Sequence, residues 1–225
     1  MASGCAISRL DSRSSSTFPD GMLTIVDYGM GNLRSVRNAV AYLGEPAQIS
    51  GDPTVVAQSD KLILPGVGSF RRAMENIRSL GLADALGEAV LSRMVPVLGI
   101  CLGMQLLASR GEEDGGAEGL GWIDGEVVRF DFGNGSARIP HIGFNAAWST
   151  GARSRVFDHL TKPADFYFVH SYFLRCANDA SVALWCDYHG RFCAGVEQGN
   201  VFGTQFHPEK SQANGLAVLA KFLKI

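Results

Sequence analysis

Two short apolar runs do most to limit what this chain can become: KLILPG at residues 61–66 and VPVLGIC at 95–101. Both are apolar on either face, and each leads through glycine into sequence with a helical stripe. Strands of this kind, alternating with helices, belong to a parallel sheet with right-handed crossovers. The alternation already starts with LTIVDYG, followed by NLRSVRNAVAYLG, where Leu33, Val36, Val40 and Leu43 form a stripe that Gly44 closes. PAQIS reads as a further short strand, residues 70–93 as helix with a break around Gly81, and LGMQLLASR as the helix fed by 95–101.

Beyond GEEDGGAEG, read as an acidic surface loop, the texture changes. GEVVRFDF, FYFVHSYFLRC, SVALWCDYH, FCAGVEQG and NVFGTQFHP are strand-like, several with period two, and only ANGLAVLAKFLKI returns to a helix. The expected fold class is therefore α/β, with a mostly parallel central sheet flanked by helices and an added antiparallel section. Residues 22–225 read as one domain without repeat or linker. Residues 1–21 are Ser-rich, without periodic apolar pattern or the apolar centre of a secretory signal, and read as a flexible extension ahead of Met22.

Composition then excludes classes of function. A net charge of −2 gives no electrostatic footprint for nucleic acid or an anionic membrane, and no apolar run nears the ~20 residues of a membrane span. Five cysteines without framework spacing point to a reducing, cytoplasmic setting. Cys176, Cys186, His189 and Cys193 lack the paired spacing of a zinc site, so no metal and no cofactor is expected. GMGN after the first strand lacks the third glycine of a dinucleotide loop, since Arg34 stands there.

Three segments carry chemistry. GICLG places Cys101 between glycines where a strand meets a helix, a turn in which the glycines let neighbouring backbone approach closely. The first N–H groups of that helix favour a thiolate. A buried core cysteine is the competing reading of the same five residues. In TQFHPEKS, His207 and Glu209 are two apart, so that on an extended segment they share a face. A carboxylate that holds an imidazole whose other nitrogen meets a nucleophile is the logic of a triad. LILPGVGSF ends a buried strand in Pro65, Gly66, Val67 and Gly68, where backbone N–H groups with little side-chain cover could hold an oxyanion.

In order along the chain, DYGMGN, PGVGSF, GICLGMQLL, PHIGFN, YFVHSY and QFHPEKS resemble the triad (class I) glutamine amidotransferases. Within that family the resemblance is nearest to the glutaminase subunits of imidazole glycerol phosphate synthases, and it runs from Met22 to the C-terminus. It implies L-glutamine as substrate, Cys101 as nucleophile, His207 as acid and base, and Glu209 as its orienter. It further implies an oxyanion site at the N–H of Leu102 and of Val67 or Gly68. Gly66, Gly68, Gln105, Ser171 and Tyr172 match positions that hold the glutamine head group. In the family the loop can need a peptide flip, so that hydrolysis waits for a partner carrying its own substrate. That partner is a separate (β/α)8-barrel cyclase or synthase, bound as a heterodimer and fed with ammonia; Asn32, Phe144, Tyr167 and Lys210 match positions that face it.

One residue departs from the pattern. Where the histidine-pathway subunits read HxGWN, this chain has Phe144 in HIGFN, and EKSQANG also resembles paralogous subunits of surface-sugar amidation systems. Histidine and purine-precursor synthesis is the first expectation for the ammonia and sugar amidation the second. A free-standing cysteine γ-glutamyl hydrolase or peptidase is a third reading, against which the PGVGSF loop and the CLGMQLL helix argue.

Overall fold

The structure is a computed structural model that describes residues 21–133 and 138–225. Apart from Gly21, the expected extension at 1–21 lies outside the described residues.

The first half is built of β1 (Leu23–Val26), α1 (Leu33–Tyr42), β2 (Ala47–Ser50), α2 (Pro53–Gln58), β3 (Lys61–Gly66), α3 (Phe70–Ser79), α4 (Leu82–Gly87), β4 (Val97–Cys101) and α5 (Leu102–Leu106). Eight strands come first in the second half. They are β5 (Ala108–Gly111), β6 (Ala117–Glu118), β7 (Ile123–Arg129), β8 (His141–Ser149), β9 (Ala164–His170), β10 (Tyr172–Cys176), β11 (Val182–Asp187) and β12 (Arg191–Gln198). β13 (Val201–Thr204) and α6 (Gln212–Leu223) close the chain.

Nine strands form one sheet in the order β2-β1-β3-β4-β13-β12-β11-β8-β9. From β2 to β13 all neighbours are parallel; from β13 to β9 all are antiparallel. A second sheet, β10-β7-β5-β6, accounts for the remainder of the added section and includes one parallel pair, β5 with β7. The expected α/β class with a parallel core and an antiparallel addition is what the structure has. The two apolar runs are the central strands β3 and β4, with Leu62, Ile63, Leu64, Val97, Leu98 and Ile100 all buried.

Several local readings change. Helix α5 stops at Leu106, and Ala108–Gly111 turns into a strand because its backbone pairs with β7. FYFVHSYFLRC is two strands in different sheets, divided at Ser171. The acidic loop contains a 3-10 turn, Glu113–Gly115, and the short strand β6. The break at Gly81 is there, with a left-handed φ of 69° that glycine tolerates. Beyond it the helix widens to a π-turn at Glu88–Ser92, where Asn200 Nδ2 donates to the carbonyls of Val90 and Val95. Helix α2 has no counterpart in the sequence reading, although Asp52 caps it (Thr54 N–H to Oδ1, 2.8 Å) and Pro53 opens it.

Candidate active site

Cys101 is the last residue of β4 and the cap of α5, and its backbone is held at φ 53°, ψ −109°. A side chain in that region costs about 1–3 kcal/mol and persists only where surrounding structure fixes it. The flanking glycines do the fixing. A Cβ on Gly103 would lie 1.7 Å from the Leu64 carbonyl oxygen, and one on Gly99 2.6 Å from that of Gly103. Their missing side chains are replaced by backbone, so α5 sits directly on β3 and β4.

Gly66 pairs in register with Cys101, which brings the end of β3 beside the thiol. A Cβ there would meet Tyr28 Oη at 2.2 Å and Leu102 Cβ at 2.9 Å. The Tyr28 hydroxyl donates to the Pro65 carbonyl at 2.7 Å and pins the start of the loop. Gly68 has φ 105°, so its peptide takes an orientation that other residues rarely adopt. The N–H of Leu102, in the first turn of α5, has no partner within the helix.

His207 follows β13, and its Nδ1 lies 2.9 Å from Glu209 Oε1, with both side chains almost wholly buried. The two meet through a 3-10 turn, Pro208–Lys210, and not through the alternation of an extended strand as the spacing implies; proline opens the turn. Ser211 Oγ donates to the His207 carbonyl (2.6 Å) and accepts from Tyr167 N–H (2.9 Å), and His207 N–H donates to the Tyr167 carbonyl (3.0 Å). The backbone of His207 is thus held at both its N–H and its carbonyl, and the ring at Nδ1. Its Nε2 and Glu209 Oε2 are buried without a hydrogen-bond partner among the described residues. Burial alone would lower the pKa of His207, but the neighbouring Cys101 sulfur and the Glu209 carboxylate outweigh it and raise the value to about 10.

A cleft of about 460 Å³ opens at Cys101. Val67, Gly68, Leu102, Gln105, Ser171 and Tyr172 line it, all from the expected set; Gly66, His207 and Glu209 lie outside its lining. Ser69, Glu113, Pro140 and Val169 line it too, without having been singled out for that role, and so does His170, which FVHSY marks as structural or site-lining. Glu113 was hidden in the acidic loop, which tertiary folding turns inward: its Oε2 accepts the Phe70 N–H at 2.8 Å at the start of α3, and burial raises its pKa. QFHP could have drawn attention to Gln205, which is fully buried and donates through Nε2 to Cys101 Sγ at 3.7 Å.

Behind the cleft, His170 Nδ1 lies 2.8 Å from the Tyr172 carbonyl, an acceptor, so Nδ1 carries the proton. His141 Nδ1, 3.1 Å from His170 Nε2, is then the donor in that pair. Burial keeps both rings neutral, lowering His141 to about 4 and His170 to about 3. They pack among Phe130, Phe168, Tyr188 and Phe192.

On the outer edge of the nine-stranded sheet, Phe144 and Tyr167 are a directly opposed cross-strand pair with ring centroids 5.6 Å apart. Lys210 Nζ stands 5.7 Å over the Tyr167 ring. Phe144 and Ile142 are exposed at 51% and 60%, an apolar face on an edge hairpin. Asn32 is also exposed, as the cap of α1, where its Oδ1 accepts the Ser35 N–H. Helix α1 lies against the turn that bears Lys210.

The arrangement has the parts for acyl transfer: a thiol in a strained turn, a buried imidazole–carboxylate pair beside it, and backbone N–H groups around a cleft. Among the described residues no cluster of His, Cys, Asp and Glu could hold a metal.

A sequence profile for "Glutamine amidotransferase class-I" matches residues 24–225. The imidazole glycerol phosphate synthase subunit HisH of Rhodopirellula baltica is 47% identical over 201 residues, 89% of this chain and 96% of that protein. HisH 2 of Methanococcus maripaludis is 41% identical over 203 residues, covering 90% and 99%. Among solved structures, a glutamine amidotransferase superposes with a TM-score of 0.70 at 19% identity, covering 91% of this chain and all of the other. PurLQS of Thermotoga maritima gives 0.69 at 18%, covering 90% and 97%, and both of these likenesses speak to the fold alone.

Proposed function

The chain belongs to the class-I glutamine amidotransferases, and on that premise we propose that it is a glutaminase subunit working through Cys101, His207 and Glu209. Cys101 sulfur attacks the carboxamide carbon of L-glutamine, and His207 takes the thiol proton. The tetrahedral oxyanion is held by the N–H of Leu102 and of Val67 or Gly68. Collapse of that intermediate expels ammonia, protonated by His207, and leaves a glutamyl thioester. Water, deprotonated by His207, then attacks the thioester carbon and releases glutamate and the thiolate. Glu209 keeps the imidazole in one tautomer and orientation throughout.

The single observation that carries this reading is the buried His207–Glu209 pair beside a cysteine in the strained turn that opens on the cleft. Ser171, Tyr172, Gln105, Gly66 and Gly68 are the residues that receive the amino-acid end of glutamine. Glu113, the one carboxylate in the lining, suits its ammonium group.

Ammonia is a nucleophile only while it stays unprotonated, so a dry passage to a second site is of use. The apolar edge of Phe144 and Tyr167, with Lys210 and Asn32, is the face offered to a (β/α)8-barrel synthase. The HisH relatives support imidazole glycerol phosphate synthesis as the destination. Phe144 keeps a second destination open, the barrel of a sugar-amidation system.

The test is glutamate release from glutamine by the chain alone and with each barrel protein in turn. Stimulation by one barrel and its acceptor, abolished by Cys101→Ser, is the expected result. Steady hydrolysis by the isolated chain, indifferent to either barrel, would instead indicate a free-standing hydrolase. Retained activity in Cys101→Ser would remove the nucleophile assignment.

A further inference from the structure

Gln205 is fully buried, one residue after β13 and two before His207, and the reaction as written leaves it without a task. Its side chain belongs to a chain of hydrogen bonds whose direction is forced from one end. The Tyr172 carbonyl can only accept, and Gln105 approaches it at 2.8 Å, so the approaching atom is the amide nitrogen. The same nitrogen lies 3.1 Å from Gln205, which must present its oxygen. Gln205 is thereby left with its amide nitrogen towards Cys101 Sγ, at 3.7 Å. No choice of amide orientation remains once the backbone carbonyl is fixed.

From this we infer that Gln205 is the hydrogen-bond donor that stabilises the nucleophilic sulfur of Cys101, and that Gln105 ties it to the Tyr172 carbonyl. The inference rests on the reading of Cys101 as nucleophile. A donor aimed at sulfur gains strength when the sulfur is charged, so the bond favours the attacking form. The relay starts at β10, where the glutamine head group would sit, and ends at the atom that attacks the carboxamide. Both amide hydrogens of Gln105 are engaged within the protein, so towards a ligand it offers its carbonyl oxygen. The titratable groups that act on this region are His207, from the turn after β13, and Tyr28, from the loop after β1. The Val169 carbonyl lies 4.0 Å from Sγ.

The test uses the full-length chain and iodoacetamide at neutral pH, with the modified cysteine identified by mass spectrometry and the thiolate followed by its ultraviolet absorbance. In Gln205→Met both the alkylation rate at Cys101 and the thiolate absorbance are expected to fall, the rate about tenfold, the loss of one hydrogen bond to a charged group. Gln105→Met does not remove a group bonded to the sulfur, yet it is expected to slow alkylation by releasing Gln205. The double variant should then be no slower than Gln205→Met alone. If the methionine variant fails to fold, Gln205→Asn keeps the amide, withdraws it by one methylene and should shift both readouts in the same direction. Wild-type rate and absorbance in a folded Gln205 variant would overturn the donor role, and multiplicative losses in the double variant would overturn the relay. Preferential alkylation of another cysteine in the wild type would instead sink the nucleophile reading beneath it.

Discussion

His207 and His170 are buried to nearly the same degree, at 2% and 6% exposure, and lie on adjoining segments, since His207 N–H bonds to the Tyr167 carbonyl of β9. Yet the pKa of one ring is raised and that of the other lowered. His170 meets a backbone carbonyl, a second imidazole and aromatic rings, so desolvation decides and its pKa falls to about 3. His207 suffers desolvation as well, but the Cys101 sulfur, which can carry negative charge, and a carboxylate 2.9 Å away reverse the outcome. Burial by itself therefore does not fix the direction in which a histidine is shifted. What distinguishes the two rings is whether the fold has buried an anion alongside.

The comparison breaks most severely at Glu209. In Glu209→Gln the imidazole keeps a partner and loses the anion. On the proposed reaction, glutamate release in the presence of a stimulating barrel protein should drop roughly 10⁴-fold, as expected when a triad carboxylate is neutralised. By NMR the His207 ring should titrate well below its wild-type value of about 10. A ring that still titrated there would mean that Glu209 is not what separates the two histidines.

A smaller effect is read in stability against pH. The folded-state pKa of His207 lies above the unfolded value of 6.5, so its contribution is fully present below that pH and is lost as pH rises through about 10. Wild type should lose denaturant resistance across that window, whereas His207→Gln should show a flatter profile. Equal slopes would rule out the charged ring as a source of stability. For His141 and His170 the sign is opposite. Both are lowered from 6.5, so their contribution is present above that value and lost as pH falls through about 4 and then about 3. The smallest expected difference is between wild type and His170→Gln, the variant losing less stability on acidification from pH 7 to 4. A loss as large as wild type's would assign acid sensitivity to other groups.

Much of this was legible in the sequence, for reasons that also mark where legibility ends. The strands β3 and β4 and the helix stripes show because burial on both faces, or on one, writes its period into consecutive residues. The strained turn at Cys101 and the pair His207 and Glu209 show because local chemistry needs particular residues at short spacing. The second sheet does not show: whether Tyr172–Cys176 continues β9 or pairs with β7 depends on residues over forty positions earlier. Glu113 and Gln205 are hidden for the same reason. A glutamate in an acidic loop and a glutamine before a histidine look ordinary until long-range contacts aim one into the cleft and the other at the sulfur. The manner in which His207 meets Glu209 was also missed, because proline makes a turn where alternation alone would give a strand.

The positive φ of Cys101 sets durability against turnover. If the fold alone chose, glycine would occupy that position, since it takes φ 53° without strain. On the proposed reaction, the need for a sulfur keeps cysteine there. Descendants of such a chain that gave up the chemistry while keeping the architecture would be under pressure to drift to glycine at this site first. On the proposed reaction, the strain at this position is the cost of placing a sulfur at the mouth of the cleft.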